Sequence, residues 1–342
     1  MRRPIRVGGQ RRDRARGARR GLVAMTALAL TASGCVTVHG EREIVPAATR
    51  GEAATALKEF VDAYNIADKT YQPAKAAGRV TGALGAINQA GLKSRSVNYP
   101  NGNPQHVPLE LTDAQFAIPK KAGWPRFFLA DTDSNRDTDA GPGDNRWVLV
   151  FLRNGPEAVW QASYLTILPP DRIPALKTDK DGFAEPIAAD SPTLARVPLQ
   201  LSKEYASYTQ TGKPDHFEPG PHTTDWRTTR VKEANQPGRS RQYIDQPLNS
   251  GDYAPLALRA KNGGALVFFT VRNFERETMA RGVRIEIHPD VKALLNGEVK
   301  SSLTKERISS QAVLVPAAGS GISGGKVDVL GRLTGLTSAK GS

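Results

Sequence analysis

Arg146-Trp-Val-Leu-Val-Phe-Leu-Arg153, then Asn154-Gly155, then Ala158-Val-Trp-Gln-Ala-Ser-Tyr-Leu-Thr-Ile-Leu168: this stretch decides the fold class. Both apolar runs are rich in β-branched and aromatic residues, the composition of strands. The Asn-Gly pair tolerates positive φ, so it favours a tight antiparallel hairpin over a crossover. Just upstream, Arg126 to Ala130 adds a further strand. Ahead of these, Thr49-Arg-Gly-Glu52 has the spacing of a capping box, and Ala53, Leu57, Phe60, Tyr64, Ala67 and Tyr71 follow at intervals of three and four until Pro73. That is one apolar stripe on a long helix. Ala74 to Leu92 reads as a weaker helix, with Val80, Leu84 and Ile87 on one face but four glycines within it. Residues 99–125 read as irregular, with a short strand at Gln115 to Ile118.

The same order recurs after the proline-rich interval 169–198. Leu201, Tyr205 and Tyr208 form a short stripe stopped by Gly212. A polar connection runs to residue 253. Pro255 to Ala260 and Ala265 to Val271 flank Asn262-Gly263 as a second hairpin. Asp290 to Leu295 reads as a short helix closed by Gly297, and strands at Ser301 to Val315 and Lys326 to Thr334 bracket a Gly/Ser loop. A helix followed by antiparallel strands, twice, predicts an α+β fold of two helix-plus-antiparallel-sheet domains, 49–175 and 190–337. By element order each resembles a cystatin-like or NTF2-like cone, in tandem.

The N-terminal 34 residues read as an export signal and not as part of the fold. Residues 1–20 carry nine arginines and one acid, Asp13, and the apolar stretch Leu22 to Ala32 is eleven residues, too short to span a ~30 Å hydrocarbon core. Ala32-Ser-Gly34-Cys35 resembles the bacterial lipobox, with Ala32 where Leu is usual. That resemblance implies cleavage between Gly34 and Cys35 and a diacylglyceryl group, carrying chains such as palmitate, on the Cys35 thiol. Residues 35–48 then serve as a tether. Two acyl chains make such attachment durable, which places the protein on the extracytoplasmic face of the cell membrane. Arg19-Arg20 resembles a twin-arginine signal, so export through either route fits.

Cleavage changes the charge argument. The whole chain is +13, residues 1–34 contribute nine Arg minus one Asp, and the 308 residues that remain carry +5. That excess is dispersed, with no basic stripe and no aromatic-basic motif, so nucleic acid is excluded as a partner. Cys35 is the single cysteine, so a processed chain has no thiol for a disulfide or thiolate metal site.

Beyond the anchor, Cys35-Val-Thr-Val-His-Gly-Glu-Arg-Glu, Gly82-Ala-Leu-Gly-Ala-Ile-Asn-Gln-Ala, Leu109-Glu-Leu-Thr-Asp-Ala, Phe127-Phe-Leu-Ala-Asp-Thr-Asp and Gly264-Ala-Leu-Val-Phe-Phe are similar to a family of lipoproteins of high-GC Gram-positive bacteria. The resemblance covers nearly all of the chain after Cys35. It implies the anchor and carries no catalytic positions.

Several motifs carry residue types suited to chemistry. Asp131, Asp133, Asn135, Asp137 and Asp139 put oxygen ligands at alternate positions, as at the start of an EF-hand loop. Arg136 stands where the sharp turn needs glycine and Pro142 where the closing glutamate belongs, so an acidic turn between strands is expected, without a metal. Gly319-Ser-Gly321-Ile-Ser-Gly324 matches G-x-G-x-x-G but precedes a strand, and Gly321-Ile-Ser323-Gly-Gly325 matches G-x-S-x-G with no histidine after it. Both read as a hairpin loop. The five histidines, His39, His106, His216, His222 and His288, form no zinc pattern. Asp215-His216 and His222-Thr-Thr-Asp225 could each place an imidazole near a carboxylate, the minimum for general-base work. Trp124, Trp147, Trp160, Trp226, Phe127, Phe128, Phe268 and Phe269 are expected in the sheet core. Together these readings predict a lipid-anchored envelope protein without cofactor or catalytic set, binding an envelope protein or a small molecule. The alternative is a hydrolase or isomerase with its pocket in one of the cones.

Overall fold

The computed structural model describes residues 43–342, so Gly34, Cys35 and the export signal lie outside the described residues. Helix α1 (Arg50–Thr70) opens on the expected capping box: the Glu52 amide donates to Thr49 Oγ1 at 3.1 Å, and the Thr49 amide donates to Glu52 Oε2 at 2.7 Å. Replacing Thr49 with Ala should lower stability by about 1 kcal/mol in urea titration, the usual value of a lost N-cap. Two 3₁₀ turns, Pro73–Lys75 and Ala77–Arg79, lead into α2 (Gly82–Asn98).

Four strands then form an antiparallel sheet in the order β1 (Leu111–Ala117), β2 (Arg126–Ser134), β3 (Arg146–Arg153), β4 (Gln161–Leu168). Leu152 pairs with Gln161, so the β3–β4 loop spans 154–160. Gly155 is not in the positive-φ region, and no tight turn forms. Pro156 and Trp160 explain this. Proline fixes φ and donates no bond, Trp160 packs into the core, and Arg153 holds the loop by donating to the Pro156 and Ala158 carbonyls. The second hairpin does form as read, with Gly263 at φ 85° and the Gly264 amide donating to Asn262 Oδ1 at 3.0 Å.

A second sheet contains β5 (Arg239–Leu248), β6 (Leu256–Arg259), β7 (Ala265–Met279), β8 (Ser302–Val315) and β9 (Asp328–Gly341). The two-residue strands Asn235–Gln236 and Leu295–Asn296 lie at its ends. β7 is its spine, pairing with β8 on one side and with both β5 and β6 on the other. Helices α3 (Pro198–Thr211), α4 (Thr224–Ala234) and α5 (Pro289–Ala293) complete the chain. Gly212 stops α3 at φ 79°, as read. The glycine-rich motifs fall in the β8–β9 connection, where Ile322–Gly325 is a 3₁₀ turn. No described helix is long and apolar enough to cross a membrane.

The α+β class holds, but the two free-standing cones are corrected. Along β3, Trp147, Leu149 and Phe151 face α1, where they meet Ala53, Leu57 and Phe60. Val148, Val150 and Leu152 point the other way, into a core shared with Leu258, Leu266, Phe268, Ile308 and Ala312 of the second sheet. The far face of that sheet, through Val267, Phe269 and Val271, is covered by Leu201, Tyr205 and Tyr208 of α3. The layers therefore run helix, sheet, sheet, helix, and the described residues 43–342 make one compact unit. The interval 169–198 is correspondingly not a free linker. Lys177 and Glu185 exchange backbone hydrogen bonds with Arg259 of β6, and the Ala184 amide donates to the Ile118 carbonyl. The tether is also shorter than expected: Val45–Pro46 pair with Lys120–Lys121, and Ala47 and Ala48 are buried.

Two elements fall in the stretch expected to be a connection, α4 and β5. Both are polar. β5 presents mostly exposed side chains, and α4 buries just one residue, Arg230. Hydrophobic periodicity does not report an element whose inward group is an arginine.

Candidate functional site

The largely apolar cleft that opens between α1 and α2 encloses about 400 Å³, within the ~300–1,000 Å³ range of small-molecule pockets. Each wall follows from a local sequence feature. The α1 stripe that buries Leu57 also brings Phe60 and Tyr64 to one side. Leu84, Ile87 and Gly91, on one face of α2, supply the other side. Trp147 and Leu165 form the floor, and Leu333 to Leu336 of β9 close the end. β9 reaches α2 because residue 335 is glycine: a Cβ there would stand 2.5 Å from Ile87 Cγ2. Beside this segment the β8–β9 register slips between Glu306 and Arg307, a bulge in the pairing.

The polar groups gather at the rim. Ser94 Oγ and Asn98 Nδ2 donate to Asp290 Oδ1 at 2.8 and 2.9 Å, pinning α5 to α2. His288 caps α5 by accepting from the Asp290 amide at 3.2 Å. The Arg95 guanidinium is half exposed and stands 3.9 Å from Asp68. Burial, reinforced by Asp68, raises the Tyr64 phenol above its ordinary value against the pull of Arg136 and Arg95, so its O–H stays a donor at neutral pH.

The acidic run begins within a strand and not in a loop. β2 continues to Ser134, so Asp131 and Asp133 lie on a strand. Asp131 pairs with Arg146 Nε at 2.5 Å, and Asp133 Oδ1 accepts from the Ser134 amide at 2.8 Å. Asn135 bridges back to Glu110 and Pro108. Asp137 Oδ1 is buried without a partner and Asp139 is exposed. Among the described residues, no three His, Cys, Asp or Glu side chains converge as a metal site would need. A second depression of about 480 Å³ includes Asp131 and Arg146 in its wall, but those groups already satisfy each other.

The histidines are likewise separated. His216 Nδ1 lies 2.8 Å from Glu204 Oε2, while its neighbour Asp215 holds Lys326. His106 Nδ1 lies 2.8 Å from Asp68 Oδ2. Burial, with Arg332 nearby, lowers the pKa of His222. Of the aromatics, Phe127, Phe128, Trp147, Trp160, Phe268 and Phe269 are buried as expected, whereas Trp124 and Trp226 are half-buried beneath arginines. The cleft residues Ser94, Arg95 and Asp290 carried no signal in the sequence. Gly91 did carry one, as a gap in an otherwise continuous helical face.

Fold and site thus define a class: a helix–sheet–sheet–helix protein with an apolar cleft beneath its first two helices. The chain belongs to the family described as Domain of unknown function (DUF8094), whose model matches residues 44–341, nearly the whole described fold. It is 53% identical over 317 residues to the Uncharacterized lipoprotein SCO2278 of Streptomyces coelicolor, covering 92% of this chain and 93% of that one. It is also 53% identical over 319 residues to an Uncharacterized lipoprotein of Streptomyces avermitilis, covering 93% of each. The resemblance to lipoproteins of high-GC Gram-positive bacteria is borne out.

Proposed function

We propose that this protein is a lipid-anchored component of the cell envelope, on the extracytoplasmic face, which holds a small and mostly apolar ligand without transforming it. The lipobox-like segment ending at Cys35 and the printed names of both relatives support the anchor. The observation that carries the binding role is the α1–α2 cleft, apolar within and polar at its rim. Its polar groups suit holding better than catalysis. Ser94 is buried, and its hydroxyl together with the Asn98 amide fastens Asp290 of α5 to α2, so these groups are committed to a structural contact at the rim.

Gly91 provides the test. Gly91 lines the cleft, and a Cβ at that position meets nothing within 4 Å, so a larger side chain there starts into open space. Gly91→Trp should weaken binding of the fluorescent fatty acid parinaric acid at least ten-fold while leaving the melting temperature within a few degrees. Equal binding by the variant and the parent protein, or no binding by either, would remove the cleft from the function. Mass spectrometry of the native protein checks the anchor separately, with a diacylglyceryl group on an N-terminal Cys35 as the expected result.

A further inference from the structure

The first sheet ends, beside the point where the chain enters the fold, in a cluster of cations around one indole. Val45 pairs with Lys121, so the described part of the chain begins beside this edge. Val45 lies ten steps along the chain from Cys35, a reach of at most about 33–36 Å even when fully extended. Arg126 and Arg153 are cross-strand partners. Both guanidinium groups lie over the half-buried Trp124 ring, 4.5 and 5.5 Å from its centroid.

This charge is poorly compensated. Among the described residues neither Lys121 nor Arg126 has a salt-bridge partner, and Arg126 Nε is buried without an acceptor. Lys121 Nζ donates to the Pro125 carbonyl at 2.5 Å. Arg153 has Glu52 at 3.8 Å, but that carboxylate already closes the capping box. The neighbouring Lys120 is different, since Asp179 and Asp181 hold it at 2.8 and 2.9 Å. Burial and the adjacent Arg126 also lower the pKa of Lys121, consistent with an ammonium that lacks a counter-charge.

We propose that the surface built from Lys121, Trp124, Arg126 and Arg153 lies against the anionic phosphate headgroups of the membrane that holds the chain. This rests on the lipid-anchor reading above. Headgroup phosphates supply the counter-charge the cluster lacks, and an indole edged by cations is suited to the interfacial zone, where Trp concentrates. The anchor raises the local concentration of this surface at the bilayer, and the cluster orients the fold on it. With α1 running 1.5 Å per residue from Thr49, Phe60 and the cleft then stand about 16 Å along the helix from this edge.

The test uses the chain from residue 36 onward, which keeps the whole described unit and lacks the acyl chains. It should sediment with vesicles containing phosphatidylglycerol and not with pure phosphatidylcholine, and added salt should release it. Lys121→Gln and Arg126→Gln should each lower the partitioning about five-fold, while Lys232→Gln on α4, at the opposite outer layer, should leave it unchanged. Equal binding to neutral vesicles, no binding, or the same loss from all three variants would overturn the proposal. The anchor fails by a different observation: an unmodified Cys35 in the native protein, whatever the vesicles show.

Discussion

Asp245→Ala should destabilise the protein by about 3–5 kcal/mol, the scale of a buried ion pair that loses one partner. The Asp245 carboxylate is fully buried and its partner Arg230 nearly so. Four side-chain donors fill the carboxylate. Arg230 Nη2 and Asn273 Nδ2 reach Oδ1 at 2.9 and 2.6 Å, while Thr209 Oγ1, at 2.6 Å, and Arg230 Nη1 reach Oδ2. The guanidinium itself lies between the rings of Trp226 and Tyr243, 4.8 Å from each centroid. Truncating Asp245 strands that nearly buried cation without its counter-charge. Replacing both partners with apolar residues, Arg230→Met with Asp245→Leu, should recover most of the loss, because the penalty belongs to the unpaired charge. Urea titrations of the three variants decide it. A single substitution within 1 kcal/mol of the parent protein would show that the pair is not buried in solution.

The same carboxylate gives the stability a pH dependence. Burial works to raise the pKa of Asp245, but the Arg230, Thr209 and Asn273 hydrogen bonds outweigh it and the net shift is downward. Glu275 follows the same logic, burial against Lys305 at 2.6 Å and Arg307 at 2.8 Å, again with a lowered result. A carboxylate whose folded pKa lies below its unfolded value contributes fully above the unfolded value, about 4, and loses that contribution as pH falls through the folded one. Stability should therefore fall below about pH 4, and Asp245→Ala should flatten that decline.

Elements whose inward faces are apolar were legible in the sequence. The Thr49 cap, the α1 and α3 stripes, the Gly212 stop and the Asn262-Gly263 hairpin all formed where their chemistry placed them. Elements whose inward group is polar were not. Arg230 anchors α4 and Asp245 anchors β5, and a charged residue facing inward reads in one dimension as a solvated one. The cleft was hidden for a related reason, since its rim joins Ser94 of α2 to Asp290, 196 residues later, a juxtaposition no local spacing encodes. The layering did leave a trace. Trp147 to Leu152 and Ala265 to Val271 are apolar almost without interruption, whereas a sheet with one wet face alternates. Those runs mark strands covered on both sides.

That trace leads to the second large effect: neither half of this protein should fold alone. Without the second sheet, residues 43–175 would expose Phe127, Leu129, Val148, Val150, Leu152 and Tyr164, all of them buried in the shared core. At about 1.5–3 kcal/mol for each such side chain, the exposure removes about 9–18 kcal/mol, as much as the whole stability of a typical domain at about 5–15 kcal/mol. The bare face would also self-associate, as large exposed apolar patches do. Expressed separately, 43–175 and 190–342 should each be insoluble or lack a cooperative thermal transition. Co-expressed, they should recover a single transition, because the contacts between the sheets do not require an unbroken backbone. A soluble N-terminal half with its own sharp unfolding curve would restore the picture of two independent cones. The point substitution Val150→Asp makes the same argument in the intact chain: it places an unpaired carboxylate between the sheets, and loss of the cooperative transition is the expected result.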